Sequence, residues 1–277
     1  MIKRILVDLS DTRRGQAIVR HATELACSHQ AEITASLERA EDRPQPVGRL
    51  QGIAAAGWAR ELHRQSVIDA QETIVAVVDE LRTCCTSKGI PFRIVERGSE
   101  SFRSTVDEFQ FYDLFICGTN LSFEDTSLES GSEELIQLVE EGVRPILAVC
   151  DEYRPVKRVL VALSEHGDSA RTLKQFLQLR LCPQAEMEIV AFNGHGGDRP
   201  HKLLSESARY CRRYGVEPQQ QVLEGPMSVE VLPHAVDADA DMIVLGNSDH
   251  SRLARWFFGG AVMEIIRESD RSLFLSQ

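Results

Sequence analysis

KRILVDLSD, from Lys3 to Asp11, returns as KRVLVALSE from Lys157 to Glu165. Each segment is a basic pair, a short apolar run and a serine at the exit, Ser10 in one and Ser164 in the other. Apolar runs of this length read as strands buried on both faces, the kind from which parallel sheets are made. A second echo follows near the end of each half: YDLFICGTN (Tyr112 to Asn120) and ADMIVLGNS (Ala240 to Ser248). In both, an aspartate precedes an apolar strand that stops at a glycine, and another glycine stands 13 residues on, so that Gly118 goes with Gly131 and Gly246 with Gly259. Each half closes on a further apolar strand, RPILAV from Arg144 and RSLFLS from Arg271. The repeated unit is a whole domain, not the short repeat of a solenoid.

The spacings show where the copies differ. Ser10 and Ser164 are 154 residues apart, Gly118 and Gly246 only 128, so the first copy carries 26 extra residues between its first and fourth strands. The stretch from Arg39 to Gly57, rich in proline, glycine and charge, accounts for much of them as an insert near 40–65. Between the echoes the pattern alternates as βαβ units do. In the first copy it predicts a helix over 13–28, a strand over 31–37, a long helix over 58–88, a strand over 92–96 and helices over 101–111 and 131–141. In the second it predicts helices over 168–180, 200–214, 227–236 and 260–268, with strands over 186–192 and 217–223. Tyr153, Arg154 and Pro155 form a short linker. The expectation is an α/β chain of two Rossmann-like domains, 1–150 and 155–277. Each is a five-stranded parallel sheet with helices on both faces and right-handed crossovers.

Composition narrows the function. Apolar residues are 43% and charged residues 26%, the balance of a globular chain. No apolar run approaches the ~20 residues of a membrane helix, and the first strand is cut by Asp8 too early for a secretory signal. The expectation is a cytoplasmic protein with no membrane partner. A net charge of −11 argues against nucleic acid, whose nonspecific binding rests on Lys and Arg. Seven cysteines form no CxxC or other metal spacing, which reads as reduced, mostly buried thiols; adjacent Cys84 and Cys85 are the pair to consider for redox work.

In order and spacing, this pattern resembles the universal stress protein family in its tandem form, over essentially the whole chain. The resemblance implies the adenine nucleotide alpha hydrolase-like variant of the Rossmann fold. It also implies pairing of the two copies through their last strands into an internal pseudo-dimer, with a homodimer of whole chains as a further option. Family members that bind ATP carry an aspartate at the exit of the first strand and G-x-x-G-x9-G-[ST] after the fourth. Those glycines let backbone approach phosphates at a helix N-terminus. Here Ser10 and Ser164 stand in the aspartate's place. The first copy keeps Gly118, Gly131 and Ser132 but has Leu121 for the second glycine. The second keeps Gly246, with Asn247 beside it, and Gly259, but has Asp249 for the second glycine and Gly260 for the Ser or Thr.

Charge separates the two copies. Glu124, Asp125 and Glu129 lie between the glycines of the first, and Glu133 and Glu134 open the next helix, where acids favour the helix dipole but repel a triphosphate. Ser130 and Glu133 have capping-box spacing. Between the glycines of the second copy stand Arg252 and Arg255, which favour phosphate, and no acid follows Gly259 before Glu264. ATP is therefore open to the second copy alone. The leading expectation is a non-enzymatic stress-response or signalling protein that binds an unidentified partner protein, with the ATP motif degenerate in both domains. The alternative is slow ATP hydrolysis in domain 2. A second alternative is metal or thiol chemistry, at the edge bearing His166, His195, His201 and His250 with Asp168, Asp198 and Asp249, or at Cys84 and Cys85. The sequence holds no G-x-S-x-G, HExxH or P-loop, so no catalytic set is expected.

Overall fold

A computed structural model describes residues 1–11, 13–38, 72–97, 101–119, 121, 131–143, 145–164, 167–193, 198–246 and 259–276. The first half contributes β1 (Arg4–Asp8), α1 (Gly15–His29), β2 (Glu32–Glu38), α2 over 72–88, β3 (Phe92–Arg97), α3 (Ser101–Phe109), β4 (Leu114–Gly118), α4 (Gly131–Glu140) and β5 (Ile146–Val149). The second contributes β6 (Arg158–Leu163), α5 (Gly167–Leu179), β7 (Glu186–Phe192), α6 (Arg199–Arg212), β8 (Gln219–Leu223), α7 (Met227–Asp237), β9 (Met242–Gly246), α8 (Gly259–Glu268) and β10 (Ser272–Ser276). The insert near 40–65 and the start of the helix expected from 58 lie outside the described residues.

The strands form one sheet in the order β3-β2-β1-β4-β5-β10-β9-β6-β7-β8. Every neighbouring pair is parallel except β5 and β10, which run antiparallel with Ile146 opposite Leu275, Leu147 opposite Phe274 and Ala148 opposite Leu273. Alternation along the strands sends side chains to two separate cores. Ile5, Val7, Val159 and Val161 face α1, α2, α5 and α6 on one side. Leu6, Leu160, Phe115 and Ile243 face α3, α4, α7 and α8 on the other. Both cores run through both halves of the chain.

Two helices stop earlier than their apolar pattern suggests. The helix expected to 111 ends at Phe109, where Phe111 is 70% exposed and has no core to face. The helix expected to 214 ends at Arg212, because Gly215 at φ 78° turns the chain towards β8. Among the described residues, no helix is long and apolar enough to cross a membrane.

Candidate functional site

In a parallel α/β sheet the ligand-binding crevice lies beyond the carboxyl ends of the strands. In the first half that edge is built from Asp8, Glu38, Arg97 and Gly118, which end β1, β2, β3 and β4. In the second it is built from Leu163, Phe192, Leu223 and Gly246, which end β6, β7, β8 and β9.

The two edges are chemically unlike. Asp8 lies within a strand yet is buried, and Arg97, equally buried, faces it with Nη1 3.8 Å from Oδ2. Arg97 also donates to Thr105 of α3, itself fully buried, and reaches Glu108 at 3.4 Å. Burial pushes the Asp8 carboxyl above its ordinary value, while the Arg97 charge and the Ser10 hydrogen bonds pull it back. The second half replaces all three polar members of this corner. Ala162 occupies the place of Asp8, two residues before the exit serine. Leu223 ends β8 opposite Phe192 as Arg97 ends β3 opposite Glu38, and Val231 is the fifth residue of α7 as Thr105 is of α3. All three are buried and apolar.

The exit serines differ as well. Ser10 donates its hydroxyl and its backbone N–H, the latter at 2.9 Å, to Asp8 Oδ1. Above it, Arg14 spans from Asp11 at 2.7 Å to Asp151 at 2.6 Å, and Arg13 adds a 3.0 Å contact to Asp151. The Asp11 carboxylate fills the space where Gly118 would carry a side chain. In the second half the Ser164 carbonyl accepts the Ser169 hydroxyl at 2.9 Å, but Ser164 Oγ is buried without a hydrogen-bond partner. Asn193, one residue past β7, gives its amide nitrogen to Glu224 at 3.1 Å and leaves Oδ1 buried and unpartnered. Gly246 is committed to packing: a Cβ there would stand 2.7 Å from Ser169 Cα and 2.9 Å from Ser169 N, so α5 rests directly on it.

The other expected site residues divide by position. Gly131 and Ser132 open α4, and Gly259 and Gly260 open α8, so these helix N-termini follow β4 and β9. Asn247, Arg252, Arg255 and Asp249 lie outside the described residues, as do Glu124, Asp125, Glu129, His166, His195 and His250. His201 is exposed in the first turn of α6, just after Asp198. Among the described residues, no group of three His, Cys, Asp or Glu side chains could hold a metal ion. Cys85 is buried, and burial, with help from neighbouring Cys84 and Cys27, pushes its thiol up to about 11. A thiol held protonated is a poor nucleophile. Reading the sequence passed over Asp8, Arg97, Asp11, Arg14 and Asp151. The usable signal was the one polar-for-apolar mismatch of KRILVDLSD with KRVLVALSE inside the strand, Asp8 against Ala162.

Residues 183–275 match the model of the Universal stress protein family. The stress response protein NhaX of Bacillus subtilis (strain 168) is 29% identical over 73 residues, which is 26% of this chain and 44% of NhaX. The match thus spans less than half of that curated relative. Among solved structures, a universal stress protein from Archaeoglobus fulgidus DSM 4304 superposes with a TM-score of 0.68 at 16% identity, covering 99% of this chain and 96% of its own. Another, from Pseudomonas aeruginosa UCBPP-PA14, gives 0.61 at 14% identity, with coverage of 99% and 93%. At these identities the likeness speaks for the fold. Residues 183–275 thus resemble the universal stress protein family in sequence, and the whole chain shares the fold of these two solved proteins.

Proposed function

We propose that this chain is a non-catalytic stress-response module whose second half senses an adenine nucleotide and whose first half is a copy bridged by its own ion pairs that serves as scaffold and partner surface. The observation that carries this reading is the contrast between the exit serines. Ser10 is tied to Asp8, whereas Ser164 Oγ and, beside it along the edge, Asn193 Oδ1 are buried without partners. A buried polar atom left unpaired costs about 1–3 kcal/mol, which a ligand's hydrogen-bonding groups can recover. The N-terminus of α8, opened by Gly259 and Gly260, suits phosphate. In the first half, the Asp11–Arg14–Asp151 bridge takes the equivalent space over Gly118.

Calorimetry with ATP–Mg tests the reading. One site per chain is expected, weakened roughly three- to tenfold by Ser164→Val, the loss of about one hydrogen bond, and unchanged by Ser10→Ala. Binding that follows Ser10 instead, a second site, or no binding at millimolar ATP would each defeat it. Phosphate release from the same mixtures separates a binding module from the alternative, a slow ATPase in domain 2.

A further inference from the structure

At the opposite end of the second half, where β6 and β7 begin, lies a cavity of about 330 Å3. Its floor is apolar: Val159 and Met187 from the strands, Phe176 and Leu177 from α5, and Val216 after α6. Its rim carries Arg180, Arg213 and the half-exposed Tyr214. The cavity wall is a feature of this half alone. Two residues, 30–31, connect α1 to β2, whereas six, 180–185, connect α5 to β7, and the extra ones supply Leu181, Cys182, Pro183 and Ala185 to the lining.

The internal repeat provides a comparison for the arginines. Arg180 and Gln30 are equivalent left-handed caps, at φ 54° and 55°, whose N–H groups reach back to Phe176 and Ala26. Arg213 is equivalent to Ser87, because Gly215 and Val216 repeat the backbone hydrogen bonds of Gly89 and Ile90. Tyr214 then stands where the first half has Lys88. Cations at helix ends complement the helix dipole. Yet the same two ends in the first half manage with Gln30 and Ser87, so the cap alone does not call for arginine. Neither Arg180 nor Arg213 has an acidic partner among the described residues; Glu217, the nearest acid in sequence to Arg213, is held by Arg212 at 2.8 Å. In a chain of net charge −11, two arginines with no acidic partner among the described residues line one apolar cavity, a specific placement.

We infer that this cavity binds a small amphipathic carboxylate, its apolar body on Val159, Phe176 and Met187 and its carboxylate at Arg180 and Arg213. The volume falls within the range of small-ligand pockets, and a guanidinium's fork of N–H donors suits a carboxylate's two oxygens. The site is separate from the nucleotide edge, which lies at the other end of the same strands.

The probe is 4-phenylbutyrate, titrated into the intact chain and followed through the Met187 methyl resonance, with 4-phenylbutan-1-ol as the uncharged control. A saturable shift is expected for the carboxylate, about tenfold weaker for the alcohol. The double variant Arg180→Gln, Arg213→Ser, which installs the residues of the first half, should bring carboxylate affinity down to that of the alcohol. The inference is overturned if the carboxylate does not saturate at millimolar concentration, if acid and alcohol bind alike, or if the double variant binds as the wild type does. The wild-type comparison of acid with alcohol decides the matter without reliance on any variant's folding.

Discussion

Arg97 is 4% exposed and reaches three groups at once: Asp8, Thr105 and Glu108. Withdrawing two charges from water is costly, and their attraction roughly offsets that cost only while both are present. The second half shows that the fold accepts the corner without charge, as Ala162, Leu223 and Val231. Arg97→Leu alone should therefore destabilise the protein by about 3–5 kcal/mol, since Asp8 stays buried and uncompensated. Asp8→Ala should cost less, because Glu108 still neutralises Arg97. The double variant Asp8→Ala, Arg97→Leu should return close to wild-type stability or exceed it. Urea unfolding of the four proteins gives the coupling energy; additive losses would show that the pair does not act as a unit.

At the scale of elements, the same repeat position has two different neighbours. Over Gly246 lies the backbone of α5, with Ser169 Cα 2.7 Å from where a Cβ would stand. Over Gly118 lie the side chains of Asp11 and Arg14. Helix backbone cannot step aside without moving the whole of α5, which also holds β10 through Thr172 Oγ1 and the Ser276 carbonyl at 3.1 Å. Gly246→Ala should thus cost about 1–3 kcal/mol, the usual cost of overpacking. Gly118→Ala should cost less, because the atoms in its way are the ends of the Asp11 and Arg14 side chains, which can turn aside where helix backbone cannot. Equal losses of denaturation midpoint in the two variants would contradict this account. The register of β9 on β6 and β10 places Gly246 beneath the start of α5, which no local feature of ADMIVLGNS announces.

Across the whole molecule, the antiparallel join of β5 and β10 is flanked by a seam where α1, the linker and the loop after α5 meet. His21 of α1 is 5% exposed there, its ring 4.9 Å from that of Tyr153 of the linker and tilted 55° to it, and lines a cavity with Leu147, Val156, Cys182 and Met242. Its Nε2 has no partner, and burial lowers its pKa from 6.5 to about 4. The folded protein therefore holds His21 neutral, while the unfolded chain takes up a proton below pH 6.5. This contribution to stability is complete above pH 6.5 and is lost as the pH falls towards 4, about 3 kcal/mol in all. His21→Phe keeps the ring contact and removes the proton. Its unfolding free energy should fall less than that of the wild type between pH 7 and pH 4 by about that amount, and parallel pH profiles would refute the assignment. The raised pKa of Asp8 acts in the opposite sense and is present in both proteins, so it cancels in the comparison.

By itself the sequence determined the repeat, the order of strands and helices, and most of their boundaries. Those features are written locally, in the length of apolar runs, in helical periodicity and in turn residues such as Gly215. It also pointed to the exit serines and to the glycines that end β4 and β9. Only the tertiary structure decided what each of these faces. Asp8 meets Arg97 across two strand registers, Gly246 meets a helix, and Ser164 is left unpaired where Ser10 is not. Such partnerships depend on which strands lie side by side and on which helix covers them, distances set by packing between segments far apart in the chain. Two nearly identical strand sequences therefore end in one edge bridged by its own ion pairs and one whose exit serine has no partner.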